Sequence, residues 1–220
     1  RSCWLRKLAH WRAEQDAEET PWSATDVYEF GAKQLRKPTT HRELFDATLH
    51  ALYDLKEWLE RGNDSQYQTW ARADDEPEMR NLIAGWLNQN AKSRFSCAQE
   101  NELANSQRPD IWTQIPGASA VPIELKLLDK DWSGRELCER LRNQLAGDYL
   151  RDPAADCGVM LLVRQTREKS WFIDEVKVDI RGLRDALLKH WADVSSRFPD
   201  VQAIEVVVID LTIRARASQD

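Results

Sequence analysis

No stretch of the 220-residue chain approaches the roughly 20 consecutive apolar residues of a membrane-spanning helix, and no secretory leader is visible. A membrane partner is therefore not expected, and the chain reads as cytoplasmic. Cysteine is scarce: Cys3, Cys97, Cys138 and Cys157 are widely scattered, with no C-x-x-C pair. That argues against a zinc site and against a secreted disulfide framework. His10, His41 and His50 form no ligand spacing either. Basic charge is also short, with 31 Lys and Arg against 37 Asp and Glu, a net charge of −6 and a pI of 5.4. Phosphate contacts need Lys and Arg, so any nucleic-acid binding has to come from a local basic surface. An initiator Met is missing, and the opening on Arg1 suggests a piece of a longer polypeptide with an upstream domain.

What is present is the composition of a folded protein, 42% hydrophobic and 31% charged, with length enough for one core plus a helical extension. Trp4, Leu5, Leu8 and Trp11 predict a short amphipathic helix over 3–18, and a second runs from Ser23 or Thr25 to about Leu35. A stronger one starts at Thr39 or Thr40, carries Leu44, Phe45, Leu52, Leu55 and Leu59, and stops at Gly62. Asp74 to Glu78 is an acidic opening, with Pro77 early, for a helix whose buried stripe is Met79, Leu82, Ile83, Trp86 and Leu87. Strands follow over 94–103, 108–113 and 121–128, then a helix from Ser133 to near Leu150 and a continuous apolar strand over 157–163. A final long helix lies within 173–197, and a last strand spans 203–211. This order predicts an α/β fold, a central mixed sheet flanked by helices and preceded by a helical N-terminal region. Residues 71–220 read as the main domain, and 1–70 as an extension or linker.

Within that frame, charge stands where it should be resisted. Along the strand 121–128, Glu124 and Lys126 project to one face because strand side chains alternate. If Pro116-Gly117 turns a hairpin, Asp110 shares that face. Two carboxylates held together repel and raise at least one pKa unless a cation compensates, as a hard divalent ion bound by oxygen ligands would. Lys126 beside such an ion would orient or deprotonate a water. On the preceding helix, Glu76 lies on the 76, 79/80, 83, 87 line and is expected to face the sheet, with Glu78 the alternative; Glu100 and Glu102 lie near the hairpin end. Arg135, Arg140, Arg142 and Arg151 make the helix 133–150 the densest run of arginine.

Pro109-Asp110 followed by Glu124-Leu125-Lys126 resembles the PD-(D/E)xK motif of the restriction-endonuclease-like nuclease superfamily, and the order of elements over 74–212 is similar to its core. The resemblance implies a Mg²⁺- or Mn²⁺-dependent deoxyribonuclease leaving 5′-phosphates. It implies Asp110, Glu124, the Leu125 carbonyl and Glu102 at the metal, Lys126 and Glu76 in catalysis, and double-stranded DNA as substrate. Arg135, Arg142 and Arg151 would hold the DNA backbone. Gln144 and Tyr149 resemble the Gln and Tyr that follow the Glu-x-Lys strand in recombination exonucleases, with four intervening residues instead of three. The run Gln144 to Asp152 followed by Gly158 to Leu162 is similar to uncharacterised bacterial C-terminal nuclease domains associated with phage defence. Rival readings are a nucleic-acid-binding module of the same fold without catalysis, and a helical oligomerisation domain carried by 1–65.

Overall fold

A computed structural model of the chain describes residues 23–25, 36–99, 109–151 and 155–217. The chain divides into two compact units, Arg1–Arg36 and Lys37–Asp220. Every element named below belongs to the second. The helix expected over 3–18, most of the one expected to reach Leu35, and the candidate carboxylates Glu100 and Glu102 lie outside the described residues.

Helix α1 (His41–Arg61) begins where the Thr40 hydroxyl accepts the Glu43 backbone N–H, and ends at Gly62. A Cβ at that glycine would stand 2.6 Å from the Trp58 carbonyl oxygen. Its stripe of Leu44, Leu52, Leu55 and Leu59 is fully buried. The single turn α2 (Tyr67–Trp70) leads to α3 (Glu76–Asn90), capped by Asp75, whose buried face is Met79, Ile83, Ala84 and Leu87.

Five strands form the sheet: β1 (Ser96–Gln99), β2 (Ile111–Gln114), β3 (Val121–Leu127), β4 (Cys157–Arg164) and β7 (Ala203–Asp210), in that spatial order. The first three pair antiparallel, through a hairpin turn at Pro116-Gly117 with Gly117 at φ +84°, and β3, β4 and β7 run parallel. The fold is thus mixed α/β, a five-stranded mixed sheet flanked by helices, as the alternation of patterns predicts.

Alternation along β3 and β4 divides the interior in two. Ile123, Leu125, Leu127, Val159, Leu161 and Val163 pack against α1 and α3. Met160 and Leu162 face the opposite way, against the helix that follows β3 and against α5 (Ile180–Val194). Because α1 supplies one of these two layers, it belongs to the unit that starts at Lys37.

Two local features depart from the expected pattern. The helix after β3 starts as α4 (Gly134–Glu139), with a Ser133/Glu136 capping box, and continues over Arg140–Tyr149 as a π-helix. Between β4 and α5 stands a two-stranded hairpin, β5 (Trp171–Ile173) and β6 (Val176–Val178), so that Val178, which the pattern of the long helix within 173–197 includes, lies in a strand and the helix starts at Ile180. Its turn residues Asp174 and Glu175 are both left-handed, at φ +46° and +68°. Among the described residues, no helix is long and apolar enough to cross a membrane.

Candidate active site

The site lies where β2 separates from β3. In the antiparallel register Ile111 faces Ile123, so β3 continues beyond the first residue of β2. Among the described residues, the backbone groups of Leu125 and Leu127 on that side then have no strand partner. Side chains take them instead: Asp110 Oδ2 accepts the Leu125 N–H at 2.9 Å, and Glu76 Oε1 accepts the Leu127 N–H at 3.4 Å. Unpaired edge groups thus draw two carboxylates to the end of one strand.

Strand alternation supplies the rest. Glu124 and Lys126 share the β3 face that pairs with Met160 and Leu162 in β4, so both are held under the helix that follows. Glu124 is fully buried and Lys126 is 5% exposed. The Lys126 Nζ stands 2.8 Å from Glu124 Oε1, 3.4 Å from Glu76 Oε2 and 3.6 Å from Asp110 Oδ2, and it donates to the Leu125 carbonyl at 2.6 Å. Arg80, one turn along α3 from Glu76, brings Nη1 to 3.6 Å from Asp110 Oδ1. Three carboxylates therefore meet two cations. Burial pushes the Glu124 carboxyl up to about 7; Lys126 opposes that shift and Asp110 adds to it. Burial works to lower the Lys126 pKa, but Glu124, Asp110 and Glu76 outweigh it and hold the amine above its ordinary value.

From the opposite side, Gln144 Nε2 donates to Glu124 Oε2 at 3.1 Å and contacts the Tyr149 hydroxyl at 2.5 Å, while Tyr149 also hydrogen-bonds Glu124. In an α-helix, residues five apart diverge by about 140° around the axis and could not both reach one carboxylate. The π-helical winding returns them to one face, as the Leu150 N–H to Leu145 C=O bond at 3.2 Å marks. The extra residue between Gln144 and Tyr149 is absorbed by this winding. Both side chains also wall an open cleft of about 560 Å³, together with Trp132, Arg140, Asn143 and Asp148. The Trp132 ring centre is 5.5 Å from Lys126 Nζ and 5.4 Å from Arg140 Cζ.

Asp110, Glu124, Lys126, the Leu125 carbonyl, Glu76 and Gln144 are thus brought together. Glu78 is not: its side chain accepts the Asp74 N–H at 2.8 Å as part of the α3 cap. Arg135 and Arg142 border a different hollow, beside Phe172 and His190. Arg135 pairs with Glu139, and Arg151 with Asp148. The arginines that reach the cluster are Arg80 and, through Gln144 Oε1 at 2.7 Å, Arg140. Arg80 has a sequence signal, since it falls on the same helical line as Glu76; Trp132 stands in the run that carries the resemblance, but no period places its ring over Lys126.

A second group, His41, Asp156 and Cys157, offers three ligand atoms within 4.8 Å of one another. It is satisfied internally. The His41 ring spans from Ser119 O, at 3.0 Å from Nδ1, to the Cys157 N–H, at 3.2 Å from Nε2, and burial pushes the Cys157 thiol up to about 12. Compared with protein-family models, curated proteins and solved structures, the chain matches none.

Proposed function

We propose that the chain is a metal-dependent nuclease that hydrolyses DNA phosphodiester bonds at the end of β3. The observation that carries this reading is the convergence of Asp110, Glu124 and Glu76 on one buried ammonium, Lys126. A structural ion pair needs one carboxylate per cation, and burial of the surplus is costly. The surplus has a use if a further cation joins.

The donor set fits a hard divalent ion. Asp110, Glu124 and the Leu125 carbonyl would hold Mg²⁺ or Mn²⁺ through oxygen alone, with Glu76 at hand beside them; Glu102, also expected at the metal, lies outside the described residues. Such an ion, when bound, neutralises charge on the phosphoryl oxygens. Lys126, held among three carboxylates, orients the attacking water and stabilises developing negative charge. Gln144 and Tyr149 fix the Glu124 carboxylate so that it does not reorganise during reaction. Water adds to phosphorus and gives up a proton to solvent, the P–O3′ bond breaks, and the departing 3′-oxygen takes a proton from solvent, so that the products are a 5′-phosphate and a 3′-hydroxyl.

The test is incubation of plasmid and single-stranded DNA with the protein in Mg²⁺, in Mn²⁺ and in EDTA, with end-group analysis of the products. Metal-dependent cutting to 5′-phosphates is expected. DNA binding without cutting in either metal would favour a non-catalytic module of the same fold.

A further inference from the structure

We infer that the cleft beside Glu124 is a subsite for an unpaired nucleobase, stacked on Trp132, next to the scissile phosphate. The inference rests on the nuclease reading and narrows its substrate to DNA with an unpaired nucleotide at the cut.

Continuity comes first. Gln144 and Tyr149 line the cleft and both hydrogen-bond Glu124, while Trp132 lines it and lies over Lys126. Whatever occupies the cleft is adjacent to the reacting groups. The cleft volume, about 560 Å³, falls in the range of sites for small organic groups.

Charge then selects the kind of group. The walls carry Glu136, Glu139 and Asp148 against one cation, Arg140. Arg135 and Arg151 pair with Glu139 and Asp148 from outside the lining, yet the lining itself still offers a phosphodiester backbone more carboxylates than cations. A base is neutral, and its exocyclic amino groups are donors that carboxylates and the Asn143 amide accept.

Shape selects how it is held. Arg140 is exposed, and its planar guanidinium lies 5.4 Å from the centre of the Trp132 ring. A base entering there takes the place of the exposed guanidinium on the indole, and Arg140, swung aside, covers the base in turn, since a guanidinium also stacks on aromatic surfaces. Bases inside a duplex are already stacked and paired and do not reach such a wall. A single strand, a flap or a frayed end presents them freely. Arg135 and Arg142, which would be natural duplex-backbone contacts, border the other hollow.

Binding in Ca²⁺ tests this with the full chain. The probes are a labelled 12-nucleotide single strand, the duplex of the same sequence, and a strand of the same length made of abasic units. The single strand is expected to bind about 5- to 150-fold tighter than the abasic strand, the range for one stacked base. Trp132→Ala should erase that ratio and Trp132→Phe should restore most of it, so loss of fold is told apart from loss of stacking. Equal binding of the normal and abasic strands, tighter binding of the duplex, or no binding of any strand would overturn the subsite. The two readings fail separately. Base-dependent binding without cutting in Mg²⁺ sinks hydrolysis and leaves the subsite, whereas cutting of duplex and single strand at equal rates, unchanged in Trp132→Ala, sinks the subsite and leaves the nuclease.

Discussion

Lys126 Nζ and Glu124 Oε1 lie 2.8 Å apart on one face of a strand whose other face is wholly apolar, and neither side chain has more than slight access to solvent. Removing one partner of such a pair leaves the other charge buried without compensation. Lys126→Met is therefore expected to destabilise the protein by about 3–5 kcal/mol at pH 8, measured by urea unfolding in EDTA. At pH 5, where Glu124 takes up a proton, the loss should shrink. An equal loss at both pH values would show that Glu124 is not the group left exposed to the change.

Glu124 also predicts a slope of stability with pH. Its folded pKa of about 7 lies above the ordinary 4.5, so between these values the native state binds more protons than the unfolded chain. Stability then falls as pH rises from about 5 to 8, by up to about 3 kcal/mol from this one group. Glu124→Gln should flatten that part of the profile in EDTA, and a divalent ion should oppose the fall in the wild type.

The contact between Gln144 and Tyr149 exists only because the segment is wound as a π-helix. Gln144→Ala and Tyr149→Phe should be non-additive, with a coupling of about 0.5–3 kcal/mol in a double-mutant cycle read by urea unfolding. Strict additivity would mean that the two side chains act on Glu124 independently.

Gly134 opens α4 against the β5–β6 hairpin, and a Cβ there would stand 2.0 Å from the Phe172 carbonyl oxygen. Backbone cannot rotate away as a long side chain can. Gly134→Ala should cost about 1–3 kcal/mol as an overpacking change. Gly85, with nothing near its Cβ position, is the control: Gly85→Ala inside α3 should be neutral or stabilising.

The sheet and the heart of the site were legible in the sequence because each followed a strict local period. Alternation put Glu124 and Lys126 on one face, Pro116-Gly117 marked the turn that returns Asp110 to them, and the helical line through Met79 and Ile83 carried Glu76 inward. What was missed broke those periods. Gln144 and Tyr149 are named by the resemblance alone, because at 3.6 residues per turn they look misaligned, and the π-helix that aligns them has no compositional mark. The β5–β6 turn uses Asp174-Glu175 where Asn-Gly would have signalled left-handed residues, so the hairpin was hidden before α5. The arginine run on the helix after β3 pointed to Arg135 and Arg142, yet Arg140 is the residue whose rotation about that helix brings it to Gln144.

The central claim is that Asp110, Glu124 and Lys126 form one hydrolytic centre, and single-turnover cleavage of a labelled DNA strand in Mg²⁺ tests it most directly. Wild-type protein should cut at a measurable rate. Asp110→Asn, Glu124→Gln and Lys126→Met should each lower that rate by at least about 100-fold while binding of the strand in Ca²⁺ survives, as expected when groups that act on the transition state are removed. Cleavage that persists at the wild-type rate in all three variants, or a folded wild-type protein that cuts nothing in Mg²⁺ or Mn²⁺, would contradict it.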